Sequence, residues 1–314
     1  MTTRTPATTP TTTPTTTPAA TPARTPAGTT AGTTTGTATG AGARPVLVLG
    51  GTGTTGRRVA QRLQRAGREV RVASRAAHPP FRWEEPGTWD PSLDGAGALY
   101  LAYSPDLAAP GAPEVVTALA RAAVRHGVQH LVLLSGRGEE EAQRAEAQVR
   151  DVAAQAVVVR ASFFMQDFDE KFLREPVRAG LVRLPVGPVA EPFVDAEDVA
   201  DVAAAALLDP ARHAGATYEV SGAQLLTFPE ALAVVSAALG RTVRYEQVPI
   251  AGYRRELAAQ GVPAEVVDLL THLFTEVLDG RGQRLSSGVQ QALGRRPRSF
   301  TDYAARTAAS GAWG

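Results

Sequence analysis

From residue 44 onward, short apolar runs alternate with longer segments in which apolar residues recur at helical spacing. Val46–Leu49 is apolar at all four positions, which is typical of a parallel strand buried on both faces. Residues 57–66 have one apolar helix face, and Gly67 ends this predicted helix. Further strands are predicted at 69–73, 98–102, 130–134 and 156–160, with helices at 113–126 and 139–152. The alternation predicts an α/β fold, a Rossmann-type doubly wound parallel sheet with helices on both faces.

Beyond residue 162 the alternation loosens and helical patterns dominate. Asp195 is the predicted N-cap of a helix at 195–208, where its carboxylate lies near the positive helix end. The remaining predictions are a strand at 218–220, helices at 163–174, 229–239, 251–259, 263–278 and 300–310, and a Pro/Gly-broken connection at 181–188. We therefore expect one domain over 44–222 and a smaller, mostly helical C-terminal lobe over 223–314, to which an insertion near 167–190 contributes.

Residues 1–43 differ from the rest in composition, since they are rich in Thr, Pro, Ala and Gly and contain no Leu, Val, Ile or Phe. Such a segment has no apolar surface whose burial could offset the entropy lost on ordering. We predict a disordered tail rather than a signal peptide, because a central apolar run is missing. No run of about 18 apolar residues follows, so we expect no membrane contact and a cytoplasmic location.

The charge and residue counts exclude several kinds of site. The 314 residues include 32 Lys and Arg, 31 Asp and Glu and no Cys, for a net charge of +1. There is no broad positive field to attract nucleic acid. Disulfides, thiolate nucleophiles and Cys-based zinc sites are excluded. None of the five His is spaced from another as a metal pair on a helix, so we predict no metal site.

The strongest motif is the glycine-rich turn Gly-Gly-Thr-Gly-Thr-Thr-Gly at 50–56, between the first strand and the first helix. Gly50 permits a tight turn, Gly53 lets backbone N–H groups approach a pyrophosphate, and Gly56 lets the helix pack closely. The helix N-terminus adds unpaired N–H groups and partial positive charge, and hydroxyl donors come from Thr52, Thr54 and Thr55. This context predicts that 44–222 is an NAD(P)-binding Rossmann domain. A glycine turn that serves packing alone is the alternative.

The end of the second predicted strand distinguishes the two nicotinamide cofactors. An NAD site places Asp or Glu about 20 residues after the glycines, to hold the ribose 2′-hydroxyl. Here the residues are Ser74 and Arg75. No carboxylate repels a 2′-phosphate, and a guanidinium is available to bind it. We therefore predict NADP(H) as the cofactor.

The usual proton relay of this fold is missing. Many reductases of this architecture carry Tyr-x-x-x-Lys on the helix after a strand that ends in Ser. Ser135 lies at that strand end and is predicted to contact cofactor and substrate, but 136–146 contains neither Tyr nor Lys. Lys171, the only lysine, lies too far along the chain and is interpreted as a surface charge. Tyr103 follows the strand at 98–102 and is the predicted second catalytic and substrate-binding hydroxyl. A packing role is its alternative.

An aromatic segment follows the strand at 156–160. Phe163, Phe164 and Met165 are predicted to form an apolar wall against a flat substrate, and Phe193 to close the same pocket. The helical lobe is then a substrate lobe. The alternative is that these side chains fill the core, as residues four apart on one helix do.

Together, 50–56, 74–75, 131–136, 145–146, 160–168 and 192–200 resemble the NmrA-like family of atypical short-chain dehydrogenases. The stretches 133–141 and 270–282 resemble its ergot-alkaloid-biosynthesis subgroup, which includes the festuclavine and agroclavine dehydrogenases. This resemblance implies an NADPH-binding fold and, as in the characterised fungal members, reduction of an iminium. Where the family often has Asn, this chain has Asp167, which as a carboxylate only accepts hydrogen bonds. Asp167 is therefore a predicted substrate-binding residue that alters pocket specificity.

Two hypotheses of different classes follow. The first is an NADPH-dependent reductase that transfers hydride to an imine or iminium, an enone or a quinone-like acceptor without the Tyr-Lys relay. Hydride addition to an iminium needs no proton donor. A ketone or quinone develops negative charge on its oxygen during the reaction, so its reduction is helped by a proton donor. The second is a non-catalytic NADP(H)-binding redox sensor or regulator of the NmrA type. We expect a small-molecule substrate, no nucleic acid and no membrane partner, and a homodimer is left open.

Overall fold

The computed structural model describes Met1 and residues 44–314, so the rest of the predicted tail lies outside the described residues. The strands are β1 (Val46–Leu49), β2 (Val70–Ala73), β3 (Ala98–Leu101), β4 (His130–Gly136), β5 (Val157–Ala161), β6 (Leu181–Leu184), β7 (Thr217–Val220) and β8 (Arg244–Gln247). Six of them form one sheet in the order β2-β1-β3-β4-β5-β7, and every neighbouring pair is parallel. The predicted Rossmann-type fold is confirmed.

Helices connect the strands and make up most of the C-terminal third. The α-helices are α1 (Thr54–Arg65), α2 (Trp89–Leu93), α3 (Ala112–Arg125), α4 (Glu140–Val152), α5 (Arg174–Ala179), α6 (Ala196–Leu208), α7 (Pro210–His213), α8 (Phe228–Leu239), α9 (Ile250–Ala259), α10 (Ala264–His272), α11 (Gly288–Leu293) and α12 (Phe300–Ala309). Short 3₁₀ turns lie at Pro86–Thr88 and Met165–Phe168, and a π-helical turn at Leu273–Val277 follows α10. Within the described residues, no helix has both the length and the apolar character needed to cross a bilayer.

The central sheet is buried on both faces. Val46 and Val48 pack into a core layer shared with α1, α6 and α11, while Leu47 and Leu49 pack into a second layer with α2, α3 and α4. Successive strand residues point to opposite faces, so an all-apolar strand is what two covered faces require. The strand order reverses beside β1 and β3, and this switch point opens the ligand crevice at the carboxyl ends of the strands.

A third core fills the lobe beyond β5. Its largest buried side chains are aromatic, and Phe168, Phe193, Phe228 and Phe300 meet with ring centroids between 5.2 and 6.1 Å apart. Trp313, near the C-terminus, packs into this core and is 1% exposed. The predicted N-cap of α6 is confirmed, because the Asp195 carboxyl accepts a hydrogen bond from the Glu197 backbone N–H.

Two of the predicted elements in this lobe are wrong. The helix predicted at 163–174 is a 3₁₀ turn followed by a loop, because the Met165 N–H donates to the Val194 carbonyl and the Val194 N–H donates to the Phe163 carbonyl. Because these backbone groups pair with the segment around Val194, they cannot form the hydrogen bonds of a helix. The connection predicted at 181–188 contains β6, which pairs with β8 in parallel.

Candidate functional site

The glycine turn after β1 is packed backbone against backbone, with no room for a side chain at positions 50 and 56. Gly50 has φ +68°, and the Gly53 N–H closes the turn onto the Gly50 carbonyl at 2.9 Å. A Cβ atom on Gly56 would overlap the Gly50 carbonyl oxygen and lie 2.8 Å from Gly51 Cα. Gly53 is the N-cap of α1 and offers no side-chain cap, and the first turn of α1 carries no acidic residue. The N-terminal N–H groups of α1 are therefore free for an anion.

The three threonines of the turn have different environments. Thr52 is exposed, whereas Thr54 and Thr55 are buried. The buried Tyr100 hydroxyl on β3 donates to Thr55 Oγ1 at 3.0 Å. Thr55 thus ties the turn to the strand on the other side of the crevice, and Thr52 presents the most accessible hydroxyl.

Ser74 and Arg75 follow β2 directly, at the same edge of the sheet as the glycine turn. The Ser74 carbonyl accepts the N–H groups of Ala77 and Phe81, at 3.2 and 2.9 Å, and this shapes the loop. The Arg75 side chain is exposed. Residues 50–56, called the glycine cradle below, and the N-terminus of α1 lie at the same edge of the sheet as this guanidinium. Such a combination fits a phosphorylated dinucleotide.

The Ser135 hydroxyl lies in a buried polar network rather than in an open pocket. Ser135 is 4% exposed, and its Oγ donates to Glu146 Oε1 on α4 at 2.5 Å. Arg160 holds the same carboxylate with three hydrogen bonds of 2.5 to 3.0 Å. This contact accounts for the polar residue at the end of β4, and the catalytic and cofactor-binding role of Ser135 stays a prediction.

Tyr103 follows β3 and is half-buried under an aromatic loop. Its ring meets Trp83 at 4.8 Å between centroids, and Trp83 in turn meets Phe81 at 4.9 Å. Burial, and next the charge of Glu84, raise the pKa of the Tyr103 hydroxyl. The hydroxyl therefore stays protonated at neutral pH.

The four residues of the predicted apolar wall differ in their exposure. Phe163 and Phe164 are half-buried, whereas Met165 and Phe193 are each 1% exposed and belong to the core of the lobe. The Phe163 ring meets Phe193 edge-on at 5.7 Å. Part of the Phe163 side chain is thus exposed, while Met165 and Phe193 lie in the core, and the substrate-binding role of all four residues stays a prediction.

Asp167, one position after Gln166 in the 3₁₀ turn, lies beside Lys171. Burial raises the pKa of Asp167 to about 7, against the lowering effect of the Lys171 charge. At neutral pH this side chain is therefore present in both protonation states, and only the protonated one can donate a hydrogen bond.

Sequence reasoning missed a set of titratable groups at the carboxyl ends of β3 and β4. Asp106 lies after β3 and Glu139 after β4, and the charges of Lys171 and His272 act on Asp106. Burial, and next the charge of Asp106, raise the pKa of Glu139 to about 8. Burial also raises the pKa of Asp106. The available signal was an acidic residue shortly after each of two neighbouring parallel strands.

A loop of the C-terminal lobe covers the turn between β4 and α4. The Arg137 guanidinium, whose residue is 7% exposed, donates to Ser162 Oγ and to the Gly282 carbonyl, each at 3.3 Å. Burial raises the pKa of Glu191 to about 7, and its carboxyl accepts the Phe163 N–H at 3.4 Å. These contacts join the turn after β4 and the residues after β5 to the C-terminal lobe.

Comparison with known proteins places the chain among relatives of this architecture. Residues 112–303 match the model of the NmrA-like family. The chain is 33% identical to the (4-alkanoyl-5-oxo-2,5-dihydrofuran-3-yl)methyl phosphate reductase of Streptomyces griseus, over 84% of this chain and 98% of that protein. It is 29% identical to festuclavine synthase II of Penicillium roqueforti, over 82% of this chain and 96% of the relative.

A solved structure has the same fold. The Citrobacter sp. triphenylmethane reductase complexed with NADP(H) superposes with a TM-score of 0.71 at 18% identity, covering 84% of this chain and 99% of that one. The resemblance that the motifs indicated, including the one to the festuclavine enzymes, is confirmed.

Proposed function

Since this chain belongs to the NmrA-like family, we propose that it is an NADPH-dependent reductase of a small organic acceptor. The observation that carries the proposal is the N-terminus of α1, where the N-cap Gly53 has no side chain to cap the helix and the first turn has no acidic residue. The backbone N–H groups of this turn can therefore bind a pyrophosphate, and the close packing of Gly56 on Gly50 keeps the turn in the shape that presents them.

The cofactor would be held by this chain's own groups in three places. Backbone N–H groups of the turn and the Thr52 hydroxyl bind the pyrophosphate, and Arg75 binds the 2′-phosphate. The bound cofactor supplies a hydride to the acceptor. The NADP(H) complex of the Citrobacter enzyme, which has the same fold, supports this choice of cofactor.

The acceptor is a conjugated C=O or C=N compound, that is, an imine or iminium, an enone or a quinone-like molecule. The substrate that names the Streptomyces relative has a ring double bond conjugated to two carbonyl groups. On this chain, the Phe163 ring offers an apolar face, and Tyr103, Ser135 and Asp167 are the proposed polar contacts of the acceptor. Apolar walls with a few placed polar groups are typical of small-molecule sites.

The experiment that tests the proposal is NADPH oxidation, followed by absorbance, with a panel of cyclic iminium ions, enones and quinones. We expect turnover with at least one class and a lower Kd for NADPH than for NADH. Tight NADP(H) binding with no turnover across the panel would contradict the reductase. It would favour the second hypothesis, a regulator that binds the cofactor and a partner protein.

A further inference from the structure

Glu139 lies in the turn that joins β4 to α4, and its carboxyl group folds back over the end of the strand. A Cβ atom on Gly136, the last residue of β4, would lie 2.5 Å from the carboxyl carbon of Glu139 and 2.7 Å from its Oε1. Only glycine leaves room for the carboxyl in this position. The group therefore lies at the carboxyl edge of the sheet, where the crevice of a doubly wound fold binds its ligands.

The Oε2 atom of Glu139 is buried and has no hydrogen-bond partner among the described residues. A buried oxygen without a partner is costly as an anion and less costly as part of a neutral carboxyl group. Asp106, from the loop after β3, adds a second negative charge nearby, and burial together with that charge raises the pKa of Glu139 to about 8. Burial and the neighbouring charge therefore favour the protonated form of Glu139 to a higher pH than for an ordinary carboxyl group.

The other charged groups around this pair come from three further segments. Lys171 after β5 and His272 at the end of α10 act on Asp106. The Arg281 side chain lies against Gly138 in the turn, where a Cβ atom would be 3.6 Å from its Cδ, but its guanidinium is paired with Asp279 at 2.8 to 3.1 Å. The positive charge of Lys171 thus favours ionisation of Asp106, against burial, which raises its pKa.

We propose that Glu139 is the proton donor of the reductase, in place of the absent Tyr-Lys relay, for acceptors that gain negative charge on reduction. This rests on the reductase function proposed above. If Oε2 of Glu139 carries the proton, its O–H group has no partner among residues 44–314, and an acceptor bound over the turn would give it one. Asp106 is a positioning residue in this proposal, because its charge helps to keep the proton on Glu139.

The proton balance depends on the acceptor. Hydride addition to a quinone or an enone leaves an anionic oxygen. The O–H bond of Glu139 breaks, a new O–H bond forms on the acceptor, and solvent returns a proton to the Glu139 carboxylate. Hydride addition to an iminium gives a neutral amine and takes up no proton. The two acceptor classes therefore differ in their need for Glu139.

Glu139→Gln tests the proposal, because the amide keeps the shape and cannot supply an acidic proton. General acid catalysis contributes about 10²- to 10⁴-fold, so we expect kcat with a quinone or enone to fall about 100-fold or more at pH 7. Turnover of an iminium should change less than about threefold. Glu140→Gln, the exposed neighbour at the start of α4, is the matched control and should leave both activities unchanged.

Two readouts do not depend on turnover. The infrared band of a protonated carboxyl group that titrates near pH 8 should be present in the wild type and absent from Glu139→Gln. The Kd for NADPH and the Tm should be similar in the two proteins, which shows that the variant is folded. Asp106→Asn removes the second charge, so it should shift both this titration and the basic limb of the quinone pH profile to lower pH.

Three outcomes would overturn the role of Glu139: unchanged quinone turnover in Glu139→Gln, an equal loss with both acceptor classes, or the absence of the titrating band. These are distinguishable from failure of the reductase itself. If the protein is not a reductase, the wild type would bind NADPH but would not oxidise it in the presence of any acceptor of the panel. The proposed proton donation by Glu139 would then fail as well.

Discussion

Arg75 is the residue whose substitution separates the two nicotinamide cofactors. Its side chain is exposed at the end of β2, and a charge-assisted hydrogen bond contributes about 1.5–3 kcal/mol. We expect Arg75→Ala to raise the Kd for NADPH about tenfold to a hundredfold and to leave the Kd for NADH nearly unchanged. Arg65→Ala is the control, because Arg65 is also exposed but is the last residue of α1, at the opposite end of that helix from the glycine turn. An unchanged ratio of the two Kd values in titration calorimetry would remove Arg75 from the site.

Gly56→Ala tests the cradle. The added Cβ would overlap the Gly50 carbonyl oxygen and lie 2.7 Å from its carbon atom. Overpacking of this kind costs about 1–3 kcal/mol, and here it also displaces the N–H groups that hold the pyrophosphate. We expect a lower Tm and at least about a tenfold rise in the Kd for NADPH.

Gly87→Ala is the matched control for that variant, because nothing lies within 4 Å of its added Cβ. Its stability should stay within about 0.5 kcal/mol of the wild type, and its cofactor affinity should not change. If Gly56→Ala bound NADPH as tightly as Gly87→Ala, the turn would have only a packing role.

At the scale of residues, the sequence could predict the shape of the glycine turn but not the surroundings of the proposed catalytic groups. The glycine spacing acts through backbone sterics within seven residues, so it can be read from a local pattern. The hydrogen bonding of Ser135 depends on Glu146 of α4, whose carboxylate is in turn held by Arg160 of β5. The importance of Glu139 depends on Asp106 from another strand end and on burial, and neither is visible along the chain.

At the scale of elements, local patterns predicted the central sheet and failed where pairing is distant. Strand β1 is recognisable because its own four residues are apolar and both of its faces are covered. Strand β6 alternates half-buried and buried residues, and it is fixed by β8, which pairs Leu181 with Arg244. A sequence pattern carries no information on such a partner, so β6 was predicted as a connection.

Trp313, which follows α12, is bonded to the 3₁₀ turn Met165–Phe168 after β5. Trp313 is 1% exposed, and its indole N–H donates to the Phe168 carbonyl at 2.7 Å. Large-to-small substitution in a core costs about 3–5 kcal/mol for an aromatic residue. We therefore expect Trp313→Ala to lower the free energy of unfolding by about that amount in urea titrations.

Trp313→Phe separates packing from the hydrogen bond. It keeps most of the apolar contact and leaves the Phe168 carbonyl without its donor, which costs about 1–3 kcal/mol. A loss in Trp313→Ala no larger than that in Trp313→Phe would mean that the ring contributes little packing.

At the scale of the whole molecule, carboxyl groups with raised pKa values gather where the sheet meets the lobe. Burial is the first cause of each shift, which brings the pKa of Glu139 to about 8, Asp167 and Glu191 to about 7 and Asp169 to about 6. In the unfolded chain these groups titrate near pH 4. The folded state therefore binds more protons at neutral pH, and their contribution to stability is full below about pH 4 and is lost as the pH rises through the folded values.

The window from pH 6.5 to 8 isolates this effect. The carboxyl pKa values that arginines lower, those of Glu170, Glu197 and Asp201, change nothing there because these groups are ionised in both states. Burial lowers the pKa of His130 and His213, so the unfolded chain binds more protons at these residues, and this opposite contribution fades as the pH rises from about 6.5 to 8. We expect the free energy of unfolding to fall across this window, by about 1.4 kcal/mol per pH unit for each proton that the folded state retains.

Glu139→Gln and Glu191→Gln should each make that slope shallower, since each removes one retained proton, and the double variant should flatten it further. Glu140→Gln, exposed at the start of α4, is the control and should reproduce the wild-type slope. The measurement is urea unfolding at pH 6.5, 7.0, 7.5 and 8.0 under constant salt. A stability that stays level or rises with pH in the wild type would mean that these carboxyl groups are already ionised in the folded protein, and Glu139 would then have no proton to donate at neutral pH.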